Sequence, residues 1–257
     1  MSLEDEFSDV IAKAMRGLEI DAEDLAKEAG VSACEISGLL HGDMDEDAVR
    51  KISPALGLDA EALIALPGYI PAPSDVPGIR RIELPFRQWT VNAWLLENGD
   101  TRLLFDTGFG ERDLLEKVSV GQIAAVLVTH AHEDHIGGVA ALESVGLTVV
   151  SEVEAMERQT VSYGDFTVRV VDLSGHKSPA VGYFVEGFGK QVFIVGDAIF
   201  AGSMGRCQNN AAYRLAFETL REAFNGIADD CVILPGHGPA TTPGQEKVSN
   251  PFRAGFS

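Results

Sequence analysis

Five of the six histidines in this chain fall into three short clusters, and each cluster follows an apolar, β-like run. The clusters lie at residues 129–135, 174–176 and 235–238. A fourth apolar run, 191–195, is followed by Asp197, so a carboxylate occupies the same kind of strand-end position. Loops at strand ends can hold side chains together at one edge of a rigid sheet. Because His and Asp are ligands that hydrolytic metals prefer, the sequence predicts a metal site.

A single histidine beside a turn is more often structural than functional, and Gly-His and Gly-Asp turns are common. Here, however, four ligand-bearing pieces follow four predicted strands. In addition, the spacing of His130, His132, Asp134 and His135 predicts alternate side chains on one side of an extended turn. One shared metal site explains this placement better than separate surface histidines do.

Composition limits the classes of protein to which the chain can belong. Its 257 residues, 46% of them hydrophobic, are enough to bury a full core. The acidic start and the lack of an apolar run of ~18 residues predict a soluble, cytoplasmic protein with no membrane segment. Three scattered cysteines fit reduced thiols. The formal net charge of −19 argues against nucleic acid as a partner, because such binding depends on neutralising phosphates.

The distribution of helical patterns, prolines and apolar runs along the sequence predicts two domains. Residues 1–68 show helical patterns without β-like runs, and a proline-rich linker follows at 69–78. Residues 79–257 consist of short apolar runs separated by Gly, Asp and Pro, which is typical of an α/β domain.

Within the first domain, residues 24–42 contain two short helical patterns joined at Gly30, with Ser32 placed to cap the second. This stretch resembles a helix-turn-helix of the phage-repressor type. Residues 1–68 contain 5 Lys+Arg and 16 Asp+Glu, a formal charge of −11, and the predicted recognition helix carries Glu35 but no basic or amide side chain. We therefore expect this domain to pack on the second domain, to form a homodimer or to line the active-site mouth, rather than to bind DNA.

The predicted elements of the second domain follow from its hydrophobic pattern. Candidate strands cover residues 90–96, 101–105, 124–128, 147–150, 166–172, 181–185, 191–195 and 231–234. Candidate helices cover residues 111–117, 136–144 and 211–224.

The order of the motifs resembles the metallo-β-lactamase superfamily over about residues 79–257. The residues that carry the resemblance are His130-x-His132-x-Asp134-His135, His176, Asp197 and His237. The resemblance implies an αββα sandwich, here preceded by the small all-α domain, with two divalent metal ions at one edge between the sheets. The ligands it implies are His130, His132 and His176 for one ion, Asp134, His135 and His237 for the other, and Asp197 as the bridge. Asp106, in a Phe-Asp-Thr-Gly turn, would orient a ligand histidine.

The residues at 235–242, 246–247 and 250–252, together with 197–206, resemble the short glyoxalase II-like hydrolases of bacteria. Two departures leave the substrate open: Cys207-Gln208 stands where Thr-Asp is common, and the sequence lacks the C-terminal helical domain that binds glutathione in full glyoxalase II enzymes.

The resemblance implies hydrolysis of a thioester or ester, with a glutathione thioester as one candidate substrate. Two divalent ions can share a water, lower its pKa and hold the hydroxide as nucleophile. Asp134 would also carry the proton in transit. Since every implied ligand is nitrogen or oxygen, we expect zinc, with iron or manganese as alternatives.

Four further residues could contact the substrate. Lys177, Arg206 and Lys247 lie in or near the ligand-bearing loops and could bind an anion, although Arg206 could instead anchor its loop by bonding backbone carbonyls. Tyr213 opens a predicted helix after Asp197 and could lie over the metals, whereas we expect Tyr183 to be a packed aromatic residue.

Other functions use the same fold. A persulfide dioxygenase would hold one iron with two His and one Asp, leaving Asp134 and His237 without metal. A lactonase or β-lactam hydrolase would share the site but not the pocket. A non-enzymatic alternative is a sensor or regulator, in which the hydrolase-like domain detects a ligand.

Overall fold

The computed structural model describes residues 2–72 and 75–256, so positions 73 and 74 of the predicted linker lie outside the described residues. Five helices precede this gap: α1 (Phe7–Leu18), α2 (Ala22–Ala29), α3 (Ala33–Leu40), α4 (Glu46–Leu56) and α5 (Ala60–Ala65). Among the described residues, no helix is both long and apolar enough to cross a membrane.

The predicted helical pair is present as α2 and α3. Helix α2 ends at Gly30, which adopts a left-handed conformation with φ of 68°. Ser32 precedes helix α3 and caps it. The Ser32 hydroxyl accepts a hydrogen bond from the Glu35 amide, and the Glu35 carboxylate accepts one from the Ser32 amide. The local chemistry of both helix ends is therefore as the sequence predicts, whereas the assignment to the helix-turn-helix class stays a prediction.

The remainder of the chain is a mixed α/β region. Its strands are β1 (Ile79–Phe86), β2 (Trp89–Asn98), β3 (Thr101–Phe105), β4 (Ile123–Leu127), β5 (Val149–Val150), β6 (Thr160–Tyr163), β7 (Phe166–Asp172), β8 (Val181–Glu186), β9 (Val192–Gly196), β10 (Ile199–Phe200), β11 (Ser203–Met204) and β12 (Val232–Pro235). Its helices are α6 (Glu111–Lys117), α7 (Glu133–Ile136), α8 (Val139–Ser144), α9 (Glu152–Arg158), α10 (Asn210–Phe224) and α11 (Pro243–Ser249).

Ten of these strands form two five-stranded sheets, with the orders β1-β2-β3-β4-β5 and β12-β9-β8-β7-β6. The apolar core between them contains Trp94 and Phe105 from the first sheet and Tyr183 and Ile194 from the second. A second core lies between the other face of the first sheet and helices α6 and α8. The central strands are apolar on both faces because both faces are covered. The order of layers is helix, sheet, sheet and helix, which confirms the predicted αββα architecture.

The outer face of the second sheet shares one core with α10 and with the five N-terminal helices. Helix α1 lies directly on α10: a Cβ built on Gly17 would lie 2.4 Å from Cγ of Tyr213. The Asn210 side chain also donates to the Gly17 carbonyl oxygen at 3.2 Å. The N-terminal helices therefore extend the outer helical layer of the sandwich.

The hydrophobic pattern of the sequence does not indicate several strands and helices, including strands at the sheet edges. Strand β1 pairs with β2 along its whole length, but its charged residues interrupt the apolar pattern that would indicate a strand. Strand β6 is a short edge strand and also escaped prediction, as did α9 and α11. The predicted strand at 147–150 is reduced to two residues, and the predicted helix at 136–144 is divided between α7 and α8. Edge elements bury less apolar surface, so their sequences carry a weaker pattern.

The contact between α1 and α10 gives a stability test. We expect Gly17→Ala to lower the free energy of unfolding by ~1–2 kcal/mol, because overpacking costs ~1–3 kcal/mol and outweighs the helix-propensity gain of up to ~1 kcal/mol. The matched control is Gly38→Ala in α3, where the nearest atom to the added Cβ is 3.8 Å away. Urea denaturation of both variants measures the difference. Equal stability of the two variants would contradict the close contact.

Candidate metal centre

The predicted ligand residues lie just beyond the ends of four strands. His130 follows β4 in the first sheet, whereas His176, Asp197 and His237 follow β7, β9 and β12 in the second. Both sheets therefore contribute to one cluster, and the cluster lies at an edge that the two sheets share.

The segment that begins at His130 is not one extended turn, which corrects the sequence-based expectation. His132 is extended, with φ of −91° and ψ of 151°, but it is the residue that precedes the short helix α7. Asp134 and His135 lie in that helix. The helical turn directs them to a different group of ligands from the one that contains His130 and His132.

Seven side chains form two adjacent groups, within each of which the candidate ligand atoms lie within 4.8 Å of one another. The groups are His130, His132, His176 and Asp197, and Asp134, His135 and His237. In the first group, Nδ1 of His132 is 3.1 Å from Nε2 of His130 and 3.0 Å from Nε2 of His176. In the second, Nε2 of His237 is 3.3 Å from Oδ2 of Asp134. The structure thus brings all seven predicted ligands together.

Asp197 lies between the two groups. Its Oδ2 atom is 3.4 Å from Nε2 of His176 and 3.6 Å from Nε2 of His237. Its Oδ1 atom is 3.2 Å from Nε2 of His135. One carboxylate therefore contacts histidines of both groups, as a bridging ligand would.

The histidines are anchored on the side that faces away from the centre. Nδ1 of His176 donates to the Arg206 carbonyl oxygen at 2.8 Å, and Nδ1 of His237 donates to the Thr90 carbonyl oxygen at 2.8 Å. Nδ1 of His135 bonds to the Asp106 carboxylate at 2.8 Å. Since carbonyl and carboxylate oxygens only accept, these bonds fix the hydrogen on Nδ1 and leave Nε2 of a neutral ring as an acceptor.

This arrangement fits a divalent cation. Nε2 of His135 and Oδ1 of Asp197 are buried, and neither has a hydrogen-bond partner among the described residues. In a neutral His135 these two atoms are acceptors that repel each other, and leaving buried polar atoms unpaired is costly. Burial lowers the pKa of His135, but Asp197 and Asp106 outweigh it and raise the pKa well above its ordinary value, so the pair attracts a proton or a metal ion. A cation relieves both costs, and the oriented histidines supply the outer hydrogen bonds that metal-binding histidines usually make. The cluster is therefore compatible with a divalent metal site.

Carboxylates and burial shift the pKa values of the histidines in opposite directions. Burial lowers the pKa of His237, but Asp197 and the contact with Asp134 outweigh it and raise the pKa to about 9. Burial and the neighbouring His135 hold the pKa of His130 well below its ordinary value. A metal ion must therefore compete with a proton for His237.

Asp106 organises the inner end of the first sheet. Its backbone is left-handed, with φ of 57°, a conformation that Asp tolerates better than most residues. One carboxylate oxygen accepts from the Thr129 amide and the other from the Thr129 hydroxyl, each at 2.8 Å. With the bond to His135, Asp106 thus joins the loop after β4 to the cluster, a set of contacts that fits the predicted orienting role.

Glycine permits the close approach of the loops. A Cβ built on Gly236 would lie 2.3 Å from Oδ1 of Asp197 and 2.6 Å from Cε1 of His135. The residue before His237 therefore has to lack a side chain, which gives the Pro-Gly-His-Gly sequence a physical explanation.

A cavity of about 450 Å³ opens over the cluster, with Asp134, His176, Asp197 and His237 in its lining. The segment before α1 and α1 itself form part of its wall, so the N-terminal helices reach the mouth of the site. Oε1 of Glu4 lies 3.8 Å from Nδ1 of His237. Burial raises the pKa of Glu4 to about 7 despite that histidine.

The predicted substrate contacts have different positions. Arg206 is exposed and lines the cavity. Its side chain bonds no backbone carbonyl of the described residues, so the loop-anchoring role is not observed, and it is the backbone of Arg206 that holds His176. Lys177 is half-buried beside the cluster, where its charge lowers the pKa of His132 after burial and His176.

Contrary to the expectation, Lys177, Tyr213 and Lys247 are not among the residues that line the cavity. Tyr213 is buried beneath α1 and packs against Phe217. Lys247 pairs with Asp229 at 2.7 Å on the surface. Tyr183 is a packed aromatic residue, as predicted: it is fully buried, and its hydroxyl donates to the Val128 carbonyl oxygen at 2.6 Å.

Sequence reasoning missed most of the cavity wall. Phe86 is the last residue of β1 and Trp89 the first of β2, and Lys13 and Arg16 come from α1. No motif marks these residues. The only sequence-based indication of this wall was the expectation that the N-terminal domain packs on the second domain, forms a homodimer or lines the active-site mouth.

The role of Asp106 can be tested by removing its charge. We expect Asp106→Asn to weaken divalent-metal affinity about 10–100-fold, because the replacement no longer offers His135 a charged acceptor. Asn also tolerates the left-handed backbone. Asp229→Asn is the control, since Asp229 is exposed and pairs with Lys247. Competition titration with a chelating indicator measures the affinity, and an unchanged value for Asp106→Asn would exclude the orienting role.

The pKa of His237 predicts how metal binding depends on pH. The pKa of His237 is raised from its ordinary value of 6.5 to about 9. Between pH 6.5 and 9, a metal ion must therefore displace the proton from His237 in order to bind. We therefore expect apparent metal affinity to rise as pH increases from 6.5 towards 9. The same titration at several pH values tests this, and a pH-independent affinity would contradict it.

Comparison with known proteins agrees with this geometry. A model of the metallo-β-lactamase superfamily matches residues 87–149. The hydroxyacylglutathione hydrolase GloC of Haemophilus influenzae is 28% identical over 204 residues, which cover 66% of this chain and 95% of that protein.

Two solved structures show the same fold. The B3 metallo-β-lactamase BLEG-1 matches with a TM-score of 0.57 and 25% identity, covering 68% of this chain and 99% of that one. TTHA1623 in a di-iron-bound form matches with a TM-score of 0.52 and 27% identity, covering 66% and 98%. The chain therefore has the fold of these structures, its residues 87–149 match the metallo-β-lactamase superfamily, and its relatives include metallo-hydrolases.

Proposed function

We propose that the protein is a dinuclear metal-dependent hydrolase that cleaves thioesters or esters, with hydroxyacylglutathione-type thioesters as the first substrates to test. The observation that carries the proposal is the convergence of five histidines and two carboxylates at one end of an open cavity. The similarity to GloC favours a thioester, and the similarity to a di-iron-bound structure favours two metal ions.

The ligands we propose are those implied by the sequence. His130, His132 and His176 would hold one ion, Asp134, His135 and His237 the other, and Asp197 would bridge them. Bound divalent ions supply Lewis-acid chemistry: they lower the pKa of water towards neutrality and stabilise negative charge on a carbonyl oxygen. Zinc is the metal we propose, with iron or manganese as alternatives that the same N and O donors would accept.

The cavity lining supports water as the nucleophile. Among the described residues that line it there is no Ser, Thr or Cys. Cys207 is near Asp197 in sequence, but it is buried, and burial raises the pKa of its thiol to about 12. A side-chain nucleophile of the activated Ser or Cys type would need exposure and a neighbouring base.

Asp134 is the residue we propose for proton transfer. Its side chain lines the cavity, and its Oδ2 atom contacts Nε2 of His237. Although burial raises its pKa, the neighbouring His237 and His135 outweigh that effect and keep the pKa below its ordinary value. An ionised Asp134 can accept a proton from water and pass it to the departing thiolate or alkoxide.

We propose that the N-terminal helices do not bind DNA. The residues of α3 that are exposed are small or neutral, namely Ala33, Cys34 and Ser37. A recognition helix needs basic or amide side chains at such positions to contact phosphates and bases. Packing of these helices against α10 and around the cavity favours a role in the hydrolase itself.

Metal content and hydrolysis of S-lactoylglutathione test the proposal together. We expect two metal ions per chain and metal-dependent turnover that a chelator abolishes. His132→Ala should lose turnover by a factor of at least ~100, as expected for the loss of a ligand that supports metal-ion catalysis. His41→Ala is the matched control, because His41 is exposed at the end of α3 and its ring bonds, among the described residues, only the Ser37 carbonyl oxygen.

The alternatives give different results. One iron per chain, with Asp134→Ala and His237→Ala leaving its content unchanged, would replace the dinuclear hydrolase with a mononuclear iron dioxygenase. Two metals without thioester turnover would exclude the thioesterase and direct the search to lactones and phosphoesters. A shift of labelled promoter DNA at physiological salt would instead favour a sensor or regulator.

A further inference from the structure

Helix α1 presents one face to the cavity over the metal centre. Asp9, Ala12, Lys13 and Arg16 are spaced three and four residues apart, so they lie on the same side of the helix, and all four line the cavity. Arg206, on the loop that holds His176, lines the same cavity. The wall is therefore built from two segments that are distant in sequence.

Most charged side chains of this wall already have partners. Lys13 forms an ion pair with Asp5 and donates to the Met204 carbonyl oxygen at 2.8 Å. Asp9 accepts from the Glu6 amide at 3.0 Å. Glu4 lies beside His237. These contacts are internal to the wall and hold it in place.

The two arginines are different. Arg16 and Arg206 are both exposed, and their guanidinium groups have no hydrogen bond or ion pair with any described residue. Both positive charges therefore remain available to a ligand in the cavity. A guanidinium group offers a planar fork of donors that matches carboxylate and phosphate oxygens.

An anionic substrate requires such a feature in this protein. The overall negative field repels anions, and only a local positive region can reverse that effect at the mouth of the site. Phe86 at the end of β1 and Trp89 at the start of β2 add an aromatic part to the cavity lining, and Trp89 is 52% exposed. The cavity thus combines apolar surface with unpaired positive charge.

We infer that Arg16 and Arg206 form a subsite for an oxyanion, carboxylate or phosphate, carried by the substrate away from the bond that is cleaved. This inference rests on the proposed hydrolase function and adds the substrate class: thioesters whose thiol half is anionic. Carboxylates would identify a glutathione-type thiol and phosphates a coenzyme A-type thiol. Helix α1 thereby gives the N-terminal region a direct part in substrate selection.

Three thioesters with the same acyl group test the subsite: S-lactoylglutathione, S-lactoyl-coenzyme A and the uncharged S-lactoyl-N-acetylcysteamine. We expect Arg16→Ala and Arg206→Ala each to raise KM for one of the anionic substrates about 10–100-fold, as for loss of a charge-assisted hydrogen bond, with kcat nearly unchanged. KM for the uncharged substrate should not change. The anionic substrate that is affected identifies the source of the oxyanion.

The matched control is Arg214→Ala, which removes the same charge from an exposed position of α10 that does not line the cavity. Arg16→Lys and Arg206→Lys should recover part of the affinity, because they keep the charge but lose the fork. Equal loss for charged and uncharged substrates, or no change in KM for either anionic substrate, would overturn the subsite.

A binding measurement separates this inference from the proposed function. The thioethers S-methylglutathione and S-methyl-coenzyme A cannot be hydrolysed, and calorimetry with the metal-loaded protein measures their affinity directly. If no thioester is turned over but one thioether binds and binding is weakened in both alanine variants, the subsite stands and thioester hydrolysis fails. If the wild-type protein binds neither thioether, the subsite is wrong whatever the enzyme hydrolyses.

Discussion

The contact of Asp197 with histidines from both ligand groups is the interaction on which the site depends. Its two oxygens contact His176, His237 and His135, and one of those oxygens is buried without a hydrogen-bond partner. Acceptors directed at one point repel each other unless a proton or a metal cation lies among them. The fold therefore supports an arrangement that has its full stability only with a positive charge at its centre.

The surrounding fold holds the candidate ligand side chains in fixed relative positions. The two sheets pack through a shared apolar core, so the strand ends that carry the ligands cannot shift independently. Outer hydrogen bonds that the rings donate to Asp106 and to two backbone carbonyls then fix the direction of individual rings. Gly236 lacks a side chain, and a Cβ at this position would clash with both Asp197 and His135. Rigid packing sets position, and hydrogen bonds set orientation.

The N-terminal helices change the character of the cavity. They share a core with α10 and the outer face of the second sheet, and this packing brings one side of α1 over the metal centre. A region that resembles a DNA-binding module in sequence thus becomes part of the wall of the cavity over the candidate metal centre. Its negative charge is compatible with that role and unfavourable for contact with phosphates of nucleic acid.

The sequence by itself predicted the candidate ligand residues, and it determined the αββα architecture and the caps of α2 and α3, because these depend on local patterns: strand-end motifs, apolar runs and capping residues. It could not determine that Asp134 and His135 enter a helical turn, that Tyr213 is buried under α1, or that Lys247 pairs with Asp229. Nor did it show that Arg16 and Arg206 line one cavity. Only the tertiary structure decided these points, since each depends on which distant surfaces pack together, and neither periodicity nor spacing along the chain records that packing.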